Sequence, residues 1–587
     1  MQEVPIALIR QRRPTWLVAV VAALILTSCA PGGSTSTGPQ GGTPERQKAV
    51  TIGVSSAVDA MSNMGGTTTV GGWVSLSELH SSALVTSDEQ TRRPVGRLAE
   101  RVPTLDDGTI SVAPEGRMRV AYTLRKDVVW HDGTALTAED LVFSFRVNSD
   151  PGIPNPNQTE VRFMESAEAP DPFTFVLYFK QPYYRAGSIG IRSFWPHPRH
   201  ILEEPYERYL ATRNADEFVN LPYWTSEYVH TGPYRLVSFD PAGDIVFQAF
   251  DRYFLGRPKI DVVRVRLFLD ERTLFSNLLA GTVDLIMEST IHPELGFQLK
   301  DRWEPSGEGI VPVKNIGQRF LASQWKPAYQ IEPTNLDPRV RAALYHAFDR
   351  EALSEGLQSG HGELVAQELL TPGSLFYEET RGAFRRYGYS PDRARALLAE
   401  AGWTAGPDGM LRHASDGRRF RNSITATAGR IEQESPAFAD YWRRIGMEVE
   451  ERVVPAAFVR DRTYRAQYPG WEASSAGAGD GIIRRMEGPA ATAENRWVGN
   501  RDGYDDPTAQ LLLNAYWSSI REEDQLRSMR AISEFAEAEL PILVLFTTAD
   551  HLAVRKGVRA LSDHMGGEGG GGTYGTYSRN AHLWDVD

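Results

Sequence analysis

The sequence predicts a mixed α/β protein built from several domains. Three observations carry this. Its 587 residues exceed what one domain of about 100–200 residues holds. Short runs rich in β-branched and aromatic residues recur along the chain as strands. Between them stand helices with explicit start and stop signals, and the two element types alternate without strict βαβ regularity.

The elements follow in order. Ala49-Val50-Thr51-Ile52-Gly53-Val54 opens the fold as a buried strand. Met118 to Leu124 and Phe173 to Lys180 read as two more. Thr137-Ala138-Glu139-Asp140 is a capping box, with Thr137 as N-cap and Asp140 three residues on; Leu141, Val142 and Phe145 then share a helical face with Ala138. Asp337-Pro338 pairs an N-cap with proline at the first helical position, ahead of an apolar stripe of Val340, Ala343, Leu344 and Ala347. Ser390-Pro391 repeats the device before Ala394, Leu397, Leu398 and Ala401, and Gly402 stops that helix. No repeat of fixed period is present.

Composition excludes several classes. Hydrophobic residues are 41% and charged residues 24%, an ordinary globular balance. A formal charge of -12 without a Lys/Arg-rich run argues against nucleic acid as a partner. A single cysteine excludes an intramolecular disulfide and a multi-Cys zinc site. No His-Glu-x-x-His, Gly-x-Ser-x-Gly or phosphate-loop string occurs. The sequence therefore points to no cofactor, no metal and no catalytic residue. His131-Asp132 and His197/His200 are imaginable as a base pair or metal ligands, but their strings read as scaffold. The glycine run Gly566 to Gly572 reads as a loop, and the sequon at Asn157 carries little weight.

The first residues read as a processing signal. Arg10, Arg12 and Arg13 precede the uncharged apolar stretch Trp16 to Leu26, eleven residues against the roughly 20 a membrane-spanning helix needs. Leu26-Thr27-Ser28-Cys29 resembles a bacterial lipobox, which implies that Cys29, the sole cysteine, is lipidated and becomes the mature N-terminus. Residues 1–28 are then a signal peptide, and 29–47, rich in Gly, Ser, Thr and Pro, a flexible tether. Two or three acyl chains anchor a protein stably. Removing the signal, with its three Arg and one Glu, takes the chain from -12 to -14, which suits a tethered body more than one lying on an anionic leaflet.

Several strings together resemble the dipeptide/oligopeptide-type (family 5) extracytoplasmic solute-binding proteins of ABC importers. Leu124 to Leu141, containing Trp130-His131-Asp132-Gly133-Thr134, is the most specific. Thr231-Gly232-Pro233-Tyr234, Asp251 to Asp261, Ala280-Gly281-Thr282-Val283-Asp284, Asp337 to Leu353 and Tyr389 to Trp403 follow in order; Trp195 to Ile201 is a weaker match. Six strings in order, from about residue 48 onward, are specific where each alone is weak.

The resemblance implies a two-lobed clamp of the type II, large periplasmic-binding-protein form, with an extra inserted α/β domain. It implies a first lobe from 46–86, 226–315 and 541–587, an extra domain from 87–225, and a second lobe from 316–540. It implies a monomer on the extracytoplasmic face of the membrane, held by its lipid. That protein captures a peptide or other small solute and hands it to ABC permease subunits. A cell-surface hydrolase on the same fold and a solute sensor for a signalling partner remain alternatives.

Family contacts concentrate where the lobes face each other, here around Tyr468 to Asp480. Peptide-binding members place an Asp after the Gly-Trp strand to neutralise the peptide's α-amine; aligned on Gly470-Trp471, that position is Ser474. Glu472 or Asp480 then has to supply the carboxylate, because an unpaired buried ammonium is costly. Otherwise the small residues from Ala473 to Gly479 leave room for a bulkier or sugar-like solute. Ser474 and Ser475 are ligand candidates. Trp471 is a stacking platform or a core aromatic, and so is Trp325, which follows Gln324 at a second cleft-lining place.

Overall fold

The computed structural model describes residues 47–559 and 575–587, apart from 56–57, 63–71, 89–90, 92, 154–157, 367, 373, 383–385, 460 and 478. The signal, Cys29, the tether up to residue 46, Asn157 and the Gly566 to Gly572 run lie outside the described residues.

Three sheets organise the chain. The first is seven-stranded and mixed, in the order 309–310, 553–555, 285–286, 49–54, 262–267, 244–249, 234–239. Ala49–Val54 lies inside it, parallel to Val262–Leu267 on one side and to Leu285–Ile286 on the other. Ile52 is wholly buried there, opposite Val265 and Leu285. The second sheet is five-stranded, in the order 448–454, 421–427, 471–477, 313–323, 542–551. The third is four-stranded, formed by Ile110–Val112, Met118–Thr123, Thr174–Phe179 and Met164–Asp171, antiparallel throughout. Met118, Val120 and Tyr122 are buried while Arg119 and Ala121 are part-exposed, the period of two that a half-covered sheet demands.

Two strands join the first two sheets. Val313–Ser323 and Ile542–His551 pair antiparallel in the second sheet, and their continuations Gly309–Ile310 and Ala553–Arg555 pair antiparallel in the first. The crossings at Val311-Pro312 and Leu552 are adjacent, and the Leu552 amide donates to the Pro312 carbonyl at 3.1 Å. The fold is therefore a two-lobed α/β clamp. Ile542–His551 is an edge strand, yet all ten residues are buried. Its edge is covered: Tyr345 Oη donates to the Val544 carbonyl at 2.7 Å and the Ala366 amide to the Leu545 carbonyl at 3.3 Å.

The cap signals act as read. Asp140 Oδ2 accepts from the Thr137 amide at 2.8 Å at the head of Ala138–Ser149. Asp337 accepts from the Arg339 amide before Pro338–His346, and Ser390 from the Arg393 amide before Pro391–Glu400. Gly402 follows at φ +89°, a left-handed conformation natural to glycine.

Two of the sequence strings meet at one seam. The His131 amide donates to the His230 carbonyl at 2.8 Å, and His131 Nε2 lies 3.0 Å from the Gly232 carbonyl. Gly232 itself presses on another segment: a Cβ there would stand 2.2 Å from the His80 carbonyl carbon and 2.4 Å from the Ser81 nitrogen. Glycine is the residue that fits such a backbone approach. His80, His197 and His230 lie in this seam among Trp73, Trp130, Trp195, Trp224 and Tyr228. His200 Nε2 pairs with Asp132 at 2.7 Å, at the surface, while His197 is buried with neither ring nitrogen partnered.

Burial holds these histidines neutral. It pushes His80 and His197 down to about 3 and His131 to about 4, and sends His230 well below its ordinary value, with neighbouring histidines adding to the drop for His80 and His230. The unfolded chain binds a proton at each near pH 6.5, and the folded chain does not. Stability is thus fully present above pH 6.5 and is lost as the pH falls toward 3–4. His197→Leu removes one such site at similar volume. Urea denaturation at pH 7.5 and pH 5 is expected to show the parent losing about 2 kcal/mol more than the variant over that interval. Equal losses would remove His197 from this account.

Candidate functional site

The strand Trp471–Gly477 carries the residues that the sequence singles out. It runs antiparallel to Val313–Ser323, with Trp471 opposite Ser323, Ser474 opposite Phe320 and Ser475 opposite Arg319. Since the crossing lies at the Val313 end, the strand points its Gly477 end toward the junction of the lobes. Burial changes along it: Trp471 to Ser474 are buried, and Ser475 and Gly477 are exposed.

Side chains alternate between two faces. On one, Trp471 is 0% exposed and stands edge-on to Trp442 at 5.4 Å, inside the apolar core of the second lobe. Its ring therefore reaches no solvent, and the stacking-platform reading gives way to the core reading. The two Trp rings occupy the space between sheet and helix, where a large flat apolar side chain gains most from burial.

On the other face, Glu472 and Ser474 enter a network of charges. Glu472 is 2% exposed and is held by three guanidinium groups: Arg465 through Nη2, Arg485 Nη2 at 3.3 Å and Arg501 Nη2 at 2.7 Å. Asp502, also buried, takes Arg485 Nη2 at 2.6 Å and the Tyr468 hydroxyl at 3.0 Å. Arg485 lies over the Phe320 ring at 5.3 Å. Burial drives the Glu472 carboxyl up; Arg501, Arg485 and Arg465 outweigh it and hold the group below its ordinary value. Asp502 goes the other way: burial raises it, and Arg485 and Arg501 only partly offset that. The Arg501 fork also reaches Ser474 Oγ at 3.2 Å, and Ser474 is itself 8% exposed. Glu472 is thus a neutralised structural carboxylate rather than an amine receptor.

Asp480 is occupied as well. Arg185 Nη2 donates to both of its oxygens at 2.8 and 2.9 Å, and the Tyr184 hydroxyl donates to Oδ2. The Tyr184 amide donates to the Trp517 carbonyl at 2.9 Å, and the Tyr184 ring packs against Tyr516 and Trp517 at 5.1 and 5.2 Å. Arg162 adds a pair with Glu487 at 2.7 Å. Burial raises the Asp480 carboxyl, and Arg185 and Arg484 overcome it, so the group stays below its ordinary value. Asp480 therefore latches the segment around Tyr184, on the third-sheet side, onto the second lobe.

The remaining candidates separate clearly. Gln324 is fully buried; its amide donates to the Ala466 and Tyr468 carbonyls at 3.2 and 2.9 Å, a loop brace. Trp325 is half-buried between the Arg341 guanidinium at 4.7 Å and the Tyr504 ring at 4.7 Å. Ser475 is exposed at the strand end. Near it the Gly479 amide donates to Ser374 Oγ at 3.1 Å. Sequence reasoning missed Arg465, Arg485, Arg501, Asp502, Tyr184 and Arg185. None sits in a capping or turn string, and the one available signal was the density of arginine downstream of Trp471.

A surface hollow of about 540 Å³ lined by Arg146, Asp150, Tyr206, Tyr209 and Arg213 lies elsewhere, against the helices at Ala138–Ser149 and Arg199–Thr212. It shares no residue with this strand. Among the described residues no cluster has metal-ligand composition, and no helix is long and apolar enough to cross a membrane.

Two lobes sharing a pair of crossing strands, with a strand end opening at their junction, define a binding protein of the clamp type. The chain belongs to the bacterial extracellular solute-binding proteins, family 5, whose middle region matches residues 93–487. The oligopeptide-binding protein AppA of Bacillus subtilis is 25% identical over 381 residues, 64% of this chain and 63% of AppA, so the chain spans less than two thirds of that relative's length. The fold is similar to that of the oligopeptide-binding protein of Thermus thermophilus complexed with a pentapeptide (TM-score 0.69, 22% identity, 92% of this chain and 96% of that one). It is similar too to the ABC transporter substrate-binding protein CtaP of Listeria monocytogenes (TM-score 0.68, 15% identity, 92% and 100%).

The latch gives a quantitative expectation. Asp480→Leu takes from the Arg185 guanidinium, which is 15% exposed, the carboxylate that accepts its two short hydrogen bonds, and leaves Glu160 at 3.9 Å. Loss of one partner from a buried pair costs about 3–5 kcal/mol. Asp480→Leu combined with Arg185→Met is expected to restore at least half of that loss, read by urea denaturation. A double variant no better than the single one would show that the pair is not coupled.

Proposed function

We propose that this chain is the solute-capturing component of an ABC importer. It closes its two lobes on a peptide or other small solute without altering it, and delivers the solute to membrane permease subunits. The observation that carries the reading is the adjacent pair of crossings at Val311-Pro312 and Leu552, which lets two lobes swing about one short hinge. Family membership and similarity to peptide-binding and substrate-binding proteins support it.

In this reading the first lobe comprises 46–86, 226–315 and 541–587, the extra domain 87–225, and the second lobe 316–540. Solute meets the protein at Ser474, Ser475 and the part-exposed edge of Trp325. The protein acts as a monomer and performs no chemistry on its solute. It stands on the extracytoplasmic face, anchored through acylated Cys29, with residues 29–47 as tether; the lipobox-like string Leu26 to Cys29 supports this.

Calorimetric titration of the full chain against panels of oligopeptides and oligosaccharides tests capture. One solute class is expected to bind, and the small-angle scattering profile is expected to contract with it. Silence across both panels, together with turnover of any member, would replace the receptor by an enzyme. Labelled palmitate fed to producing cells tests the anchor. Label is expected on the parent chain and absent from Cys29→Ser; equal labelling of both would sink that part alone.

A further inference from the structure

The network at Ser474 does not balance. Three guanidinium groups, Arg465, Arg485 and Arg501, face two carboxylates, Glu472 and Asp502, within one hydrogen-bonded group. A fourth cation stands beside it: Lys326 Nζ donates to the Arg501 carbonyl at 2.7 Å. Burial lowers this ammonium to about 8, which leaves it mostly charged at neutral pH. Both carboxylates are 2% exposed by side chain, and Arg465 and Arg485 are 15% and 17% exposed. Arg501 reaches solvent, with 30% of its side chain exposed. Its Nε and Nη2 are bound to Glu472 and Ser474, and its Nη1 has no partner among the described residues.

On the opposite face, Arg319, opposite Ser475, shares the buried Glu434 with Arg430, and Asp550 lies within electrostatic reach of Arg430, so the excess of cations belongs to the Ser474 face. Excess positive charge in a low-dielectric setting raises the local potential, and Arg501, beside the Ser474 hydroxyl, is where that potential meets solvent.

We propose that the solute end seated at Ser474 is an anion, a carboxylate taken by Arg501 and the Ser474 hydroxyl, and that a free ammonium is rejected there. The inference rests on the solute-capture reading and names its substrate class. A planar carboxylate matches the fork of a guanidinium and replaces the water it displaces with charge-assisted hydrogen bonds. An ammonium at the same place would meet unscreened like charge and find no carboxylate still open to it, because Glu472 and Asp480 are both committed to arginines. Arg501 is in this account a specificity-determining residue.

The test titrates the full chain with matched probes. N-acetyl-trialanine carries a carboxylate and no ammonium; trialanine amide carries the reverse. Trigalacturonate and maltotriose form a second pair. The acid of at least one pair is expected to bind about tenfold tighter or more than its counterpart. Ser474→Asp, which gives Arg501 an internal carboxylate, is expected to abolish that preference, and Arg501→Met to remove most of it. Arg501→Lys keeps the charge without the fork and falls between. Thermal denaturation checks that each variant folds; Ser474→Asp serves where Arg501→Met does not.

Tighter binding of trialanine amide or maltotriose overturns the proposal. So does an acid preference that survives Ser474→Asp. If none of the four probes binds, the solute found by the broader panels decides: one bearing an acidic group supports the proposal, and one lacking it overturns the proposal while leaving capture intact. Binding by nothing at all removes capture, and this inference with it.

Discussion

The antiparallel pairing of Val313–Ser323 with Ile542–His551 is the constraint on which the rest depends. Both strands leave the first sheet within a few residues of each other and both enter the second. A crossing pair held by ladder hydrogen bonds fixes the axis between lobes while leaving the angle about it soft. The pair also fixes where everything else in the second lobe stands. Trp471–Gly477 takes its register from Val313–Ser323, so Ser475 stands opposite Arg319 and Gly477 opposite Gly317, on the side toward the crossing. The cost of a long edge strand is met by covering it with Tyr345, Ala366 and Gln358 rather than by exposing it.

A second consequence concerns charge. Burying five ionised groups around Glu472 is unfavourable unless each finds a partner. The network nearly achieves this by sharing: Glu472 serves three arginines, and Arg485 serves two carboxylates. Sharing of this kind rigidifies the loops that carry Arg465, Arg485 and Arg501 onto one strand. It also ties the shape of the site to its electrostatics, since any shift of Arg501 changes both the Glu472 contact and the reach toward Ser474.

The fold was legible in the sequence because its signals are local. Asp140, Asp337 and Ser390 act within one turn of their own helices, and Gly402 needs a φ that glycine supplies. Gly232 was legible as part of a string, though its reason was not: it faces His80, about 150 residues away in the chain. The candidate strand was legible as a strand, and the partners of its side chains much less so. Ser474 sits mid-strand and Ser475 begins its exposed part, but Trp471 proved to be core because its fate depends on Trp442, and no pattern around Gly470 reports that ring. Glu472 and Asp480 looked like free carboxylates because their arginines come from other segments. Arg501 and Arg185 are brought in by tertiary packing, and a reading of single strings gives no pairing between them.

The two charge clusters differ in a way that separates closing from choosing. At the latch, Arg185, Arg484 and Arg162 stand among Asp480, Glu160 and Glu487, three cations to three anions. Bringing the Tyr184 segment onto the second lobe there cancels charge on both sides, so the contact is indifferent to the charge of what lies between the lobes. The Arg93–Glu522 pair nearby is well exposed and contributes little to stability. At Ser474 the cations outnumber the anions and all lie on one lobe, so only the facing lobe or the solute can neutralise them. A neutral latch and an unbalanced strand end divide the work. The latch sets how readily the lobes meet, and the strand end sets which charge they accept when they do.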